Sequence, residues 1–234
     1  MKDQRVLWNP FRMISPKLDE EIGKIEELYR ADVSQNRTPE ESILIMLAKL
    51  IEVTRILSVS SKAESLEKLA ECEELIRQVI ELEKIATASI LGASSAVSQI
   101  WFRTFVRFPS RIERIGVMFE NILGAIRIKI KDGIPFSDKA QGEIHAILDL
   151  LAELLVNLRD SMVITNRVLL HHIGDQCERL GQLVEDARLA HWERLEAGFC
   201  SPHANAIFLC ILDSVKNINQ YINNMKENLL ELAE

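Results

Sequence analysis

The stretch LLHHIGDQCE, residues 169–178, places His171, Asp175 and Glu178 at i, i+4 and i+7. On a helix that spacing defines one face. An imidazole beside two carboxylates is a ligand set for zinc or iron. A solvated helix face is the simpler reading of the same three residues. Acidic pairs one turn apart recur at Glu67/Glu71, Asp149/Glu153 and Glu227/Glu231, and they too read as solvated faces. Glu113 is more isolated. In RIERIGVMFENIL, residues 111–123, the next acid is Glu120, and Val117 stands one turn after Glu113. No nucleophile elbow, phosphate-cradling glycine loop, H-E-x-x-H pair or Cys–His constellation is legible. An enzyme is therefore not expected.

The chain has 234 residues, with 28 Lys+Arg against 35 Asp+Glu and a formal net charge of −7. Neutralising phosphates needs a basic face, so a nucleic-acid partner is not expected. Aromatics at 6%, nine glycines and six prolines favour helices over sheets. Cys72, Cys177, Cys200 and Cys210 contain no C-x-x-C pair, which reads as reduced thiols in a cytoplasmic setting. The first thirteen residues lack the apolar run of a signal peptide. They mix Lys2, Arg5 and Arg12 with Trp8 and Phe11, and read as a tail docked on the protein, with a membrane surface or a partner as the alternative. No segment reaches the roughly 18 apolar residues of a spanning helix.

The elements that would position these residues are helical almost throughout. Ile207, Ile211, Val215, Ile218, Ile222, Met225, Leu229 and Leu232 form one apolar stripe at steps near three and four. Ile144 to Met162 and Ile112 to Ile130 carry two more, and shorter stripes run from Ile43 to Leu57 and from Leu66 to Val79. Thr38, Pro39 and Glu41 spell a helix start, as do Ser137-Asp138 and Ser201-Pro202, while Gly133 and Gly198 mark helix ends. The spacing predicts helices at about 16–32, 39–60, 62–91, 93–131, 137–167, 169–197 and 201–232, with a kink at Pro109. Long helices joined by short turns lie antiparallel, as in bundles. The break from Gly133 to Pro135 divides the chain into an N-terminal tail and helix, 1–38, and two three-helix units, 39–133 and 134–234. Ile112 to Gly116 and Val215 to Asn219 occupy equivalent places on the last helix of each unit. Glu178-Arg179-Leu180-Gly181 repeats similar letters elsewhere, and reads as a coincidence of helix composition.

Within this frame, Ile112-Glu113-Arg114-Ile115-Gly116 followed by Glu120-Asn121-Ile122 resembles the signature of PhoU domains, E-R-I-G-D before a helix ending in N-I. IKIKDGIPFSDKAQGEI, residues 128–144, is similar to the inter-repeat segment of the PhoU-like C-terminal region of sodium–phosphate cotransporters. HWERLEAGFCSPHANAIFLCILDSVKNINQYI, residues 191–222, resembles the end of that region. The resemblance spans roughly 39–232. It implies an all-α protein of two tandem three-helix bundles with an extra N-terminal helix, in which Gly116 lets helices approach closely.

The resemblance also implies a regulatory or adaptor role in inorganic phosphate uptake, exercised by helix-surface binding to a transporter or signalling partner. A homodimer and peripheral membrane association through a partner go with that role. Family metal clusters use acidic pairs spaced E/D-x-x-x-D. The matching positions here are Glu113 and Val117 in one half and Lys216 and Gln220 in the other. One acid of four remains, and a lysine repels a cation, so no cofactor is expected and Glu113 reads as a surface or inter-helix ion-pair partner. His191 and His203 fall at family-like positions near a helix end, where contact with terminal carbonyls or capping of a turn is expected. Two alternatives stay open: a structural or oligomeric bundle without metal and transport roles, and a metal-binding protein using iron or zinc at His171, Asp175 and Glu178, or at Glu113.

Overall fold

The computed structural model describes residues 37–60, 65–93 and 97–233. The expected helix at 16–32 and the Trp8–Phe11 tail lie outside them. The described residues form α1 (Pro39–Ser60), α2 (Leu66–Ala93), α3 (Gln99–Phe105), α4 (Phe108–Lys131), α5 (Asp138–Val163), α6 (Arg167–Glu196) and α7 (Pro202–Leu232).

Local chemistry sets the helix ends. The Thr38 amide donates to Glu41 Oε2 at 2.8 Å, and the Glu41 amide donates to Thr38 Oγ1 at 3.2 Å. This reciprocal pair satisfies two donors that an α-helix leaves open. Ser137 and Ser201 accept from the amides of Ala140 and Ala204, a type of cap contributing about 1 kcal/mol. At the other ends, Gly133 and Gly198 take φ of 62° and 73°. The amides of Gly133 and Ile134 return to the carbonyls of Ile130 and Lys129, and those of Gly198 and Phe199 to Leu195 and Arg194. Both turns need a left-handed residue, which glycine adopts without a Cβ clash.

Two differences from the sequence expectation have a local cause. The helix expected at 93–131 is broken, not kinked: α3 ends at Phe105, and Pro109 sits in the first turn of α4. There its missing N–H costs nothing, whereas deeper in a helix its ring would collide with the carbonyl four residues back, that of Phe105. The other boundary is earlier than expected. α5 stops at Val163, and Asn166 opens α6 by accepting from the amides of Val168 and Leu169.

The packing order explains the two-unit pattern. α2 packs against α1 and α4, and α6 packs against α5 and α7. Across the halves, α1 packs on α5 and α4 packs on α7. First helices therefore meet first helices and third helices meet third helices, with the second helix of each half set outside. One contiguous core runs through both halves, from Ile43 in α1 to Leu229 in α7. Phe108, Phe119 and Phe208 are its largest fully buried side chains. Burial of such a side chain contributes roughly 1.5–3 kcal/mol, which outweighs any exposed ion pair on the surface.

Candidate functional site

The third helices, α4 and α7, carry the positions at which the sequence reading looked for metal. Glu113 is half-buried on α4, and it forms no ion pair with another described residue. Val117 lies one turn further on the same helix. On α7, Lys216 is exposed and its Nζ reaches Glu185 Oε1 of α6 at 2.9 Å. Glu185 also faces Arg188 at 3.6 Å, and Arg188 Nη2 bonds Asp213 at 2.6 Å. A four-residue ion-pair chain therefore covers the α6–α7 face. A cation entering it would meet two resident positive charges.

Gly116 is buried and turned toward α2, where an added Cβ would stand 3.4 Å from Ile76 Cγ2 and 3.9 Å from Val79 Cγ1. The close approach expected from the sequence is real, but it leaves room for one methyl. Gly181, on α6, is the counterpart. Its Cβ would lie 3.8 Å from Asn219 Nδ2, and that amide donates to Cys177 O at 2.8 Å. Gly181 thus stands at a helix contact of its own.

His171, Asp175 and Glu178 do share a face of α6, and all three are exposed. Among the described residues no three His, Cys, Asp or Glu side chains converge as a metal site would require. Asp149 belongs to a different grouping from its expected pair with Glu153. It accepts from Ser58 Oγ at 2.5 Å and faces His145 Nε2 at 3.3 Å, while His145 Nδ1 lies 3.1 Å from both the carbonyl and the hydroxyl oxygen of Ser58. The serine gives its proton directly to Asp149. His145 contacts both of the others, and the trio ties α1 to α5.

His191 is 2% exposed. It stacks on Phe208 with centroids 4.4 Å apart, and its Nε2 lies 3.0 Å from the side-chain oxygen Oδ1 of Asn205, so the ring meets a side chain and not a helix-end carbonyl. Arg194 lies over the Phe208 ring, 5.7 Å from its centroid, and clasps Glu143 of α5 through two bonds of 2.8 and 2.6 Å. Cys200 Sγ is 3.9 Å from His191 Nε2, a Cys–His approach the sequence did not reveal. Burial raises the Cys200 thiol and lowers His191. Both shifts oppose the thiolate–imidazolium pair that a reactive cysteine needs. His203 is exposed and lines an open groove of about 430 Å³ between α4 and α7, with Glu120, Asn121, Ile128 and Cys210. Within the described residues no helix is long and apolar enough to cross a membrane.

This arrangement of helices matches solved structures along nearly its whole length. The crystal structure of the phosphate transport system regulatory protein PhoU from Streptococcus pneumoniae superposes with a TM-score of 0.73 at 14% identity, covering 92% of this chain and 96% of that one. The fold is that of PhoU. A second structure, a protein from Shewanella oneidensis MR-1 described as a PhoU-like phosphate regulatory protein, matches with a TM-score of 0.58 at 12% identity, over 85% of this chain and 98% of that one. No protein-family model and no curated protein sequence matches the chain. The all-α PhoU architecture of paired three-helix units expected from the sequence is therefore the architecture found, while the PhoU positions singled out for metal hold Val117, Lys216 and Gln220.

Proposed function

We propose that the chain is a cytoplasmic PhoU-like regulator of inorganic phosphate uptake, binding a transporter or signalling partner through its helix surfaces and performing no chemistry on phosphate. The observation that supports this reading is the near-complete overlap with the PhoU regulatory protein, 92% of one chain on 96% of the other. Deleting the gene from its native host should raise uptake of radiolabelled phosphate by cells grown in ample phosphate, and re-expression should restore it. Uptake unchanged by deletion would overturn the proposal.

In this reading the third-helix faces work without a resident metal cluster. The Lys216–Glu185–Arg188–Asp213 chain supports it, because two cations already occupy one face. Purified protein should contain iron and zinc well below one equivalent by elemental analysis. Stoichiometric metal that survives a chelator would refute this part alone.

A further inference from the structure

Between Glu83 and Glu113 the chain contains no aspartate or glutamate, although acids number 35 in the whole sequence. The charges in the second half of that gap, Arg103, Arg107 and Arg111, are all positive, and Arg114 follows it. Ile100, Arg103, Arg107, Arg111 and Arg114 succeed one another at steps of three and four. Val106 and Arg107 keep right-handed backbone across the break between α3 and α4, so the series continues from one helix into the next.

Arg103, Arg107 and Arg114 are exposed and Arg111 is half-buried. No described carboxylate pairs with any of the four. Arg111 is instead held by the Asn224 carbonyl at 3.1 Å and by the Asn228 side chain. Burial, and then the neighbouring Arg107 charge, disfavour its charged form. Like charges are thus gathered without a counter-charge among the described residues, on a protein whose net charge is negative. Apolar surface adjoins them: Ile100 is 58% exposed, and Trp101 and Phe102 are half-exposed above the core contact that Trp101 makes with Phe105.

We propose that α3 and the first turns of α4 form a docking surface for an anionic lipid membrane. The arginines would meet lipid phosphates, and Ile100 with the edges of Trp101 and Phe102 would enter the headgroup boundary. Aliphatic and aromatic groups beside basic ones suit that boundary, which is apolar on one side and charged on the other. A nucleic acid or an acidic protein would use the charges and leave Ile100 without purpose. This surface is separate from the phosphate-uptake reading and places the chain at a membrane without a spanning helix.

The test is co-sedimentation of the full chain with vesicles of equimolar phosphatidylglycerol and phosphatidylcholine at about 0.1 M salt, where a Debye length near 10 Å leaves contact charges effective. Binding is expected to these vesicles and not to pure phosphatidylcholine. Arg103→Glu with Arg107→Glu should weaken it more than about tenfold, and Ile100→Ser about fivefold, with thermal melts showing both variants folded. In a Trp8→Phe, Trp192→Phe background, brominated acyl chains should quench Trp101. The proposal is overturned if the native chain does not sediment with anionic vesicles, if the double reversal binds as well as the native chain, if Ile100→Ser changes nothing, or if Trp101 is not quenched. It is equally overturned if single-stranded polynucleotide binds as tightly as the vesicles.

Discussion

In the first half the small residue at the contact between second and third helices is on the third: Gly116 of α4 faces Ile76 and Val79 of α2. In the second half it is on the second helix: Gly181 of α6 faces Asn219 of α7. Gly116 and Asn219 hold equivalent places in the two halves, so the repeats have exchanged which helix yields space. What persists is the separation of the helices, set by the summed volume of facing side chains. Chemistry has diverged further. The α6–α7 face carries an ion-pair chain through Lys216 and a hydrogen bond from Asn219, whereas the α2–α4 contact at Gly116 is apolar and Glu113 has no ion-pair partner among the described residues.

The largest effect expected from disturbing this comparison is at Gly116→Leu. Its Cβ already touches Ile76, so the remaining carbons must displace α2, at a cost of about 1–3 kcal/mol or more. A fall in the thermal midpoint measures it; an unchanged midpoint would mean that α2 and α4 are not closely packed. Next is Asn219→Gly, which sets two glycines face to face. It removes the bond to Cys177 and lowers helix propensity, together roughly 1–2 kcal/mol. A denaturant midpoint equal to the native one would show that the contact at Gly181 contributes nothing. Alanine at either glycine works in the other direction. An added methyl meets side-chain atoms at ordinary contact distance at both sites, so up to about 1 kcal/mol of helix propensity is gained, more fully at Gly181 than at Gly116. The tightness inferred from sequence would have made Gly116→Ala destabilising; the 3.4 Å separation reverses that expectation.

A pH series separates the halves through His191. Burial holds its imidazole below the ordinary value of 6.5, so the unfolded chain takes up the proton first as pH falls. Stability from this group is complete above pH 6.5 and declines below it, toward the folded-state value. The midpoint should drop from pH 7 to pH 5, and His191→Gln should flatten that slope. The smallest effect is at Lys216→Ala: with both partners about half-exposed, no more than about 0.5 kcal/mol should be lost, fading with added salt.

Helix ends were readable because their signals are local. Thr38 and Glu41, Ser137, Ser201, Gly133 and Gly198 act on backbone groups within a few residues. Pro109 was readable as an interruption, but a proline in a first turn and one at a kink give the same letters. The buried position of Gly116 followed from its apolar neighbours Ile112, Ile115 and Phe119, whereas the helix it faces did not. The contact at Gly181 is not legible, since its partner Asn219 is on another helix and only the fold puts them together. Ser58 with His145 and Asp149, or Cys200 with His191, carry no periodic signal, since each contact joins separate elements across a turn or across the halves. Arg103, Arg107, Arg111 and Arg114 are visible as letters, and their lack of carboxylate partners among the described residues is not.

The pairing of α1 with α5 has a consequence during synthesis. Once α1 has left the ribosome, roughly 80 residues of chain must still be made before α5 begins, about 4–16 s at typical elongation rates. Throughout that interval Ile43, Met46, Leu47 and Leu50, all fully buried in the finished protein, lack the cover that α5 gives α1. The nascent chain therefore presents an oily helix to the cell for seconds, long enough for holdase chaperones to engage it and for crowded nascent chains to associate.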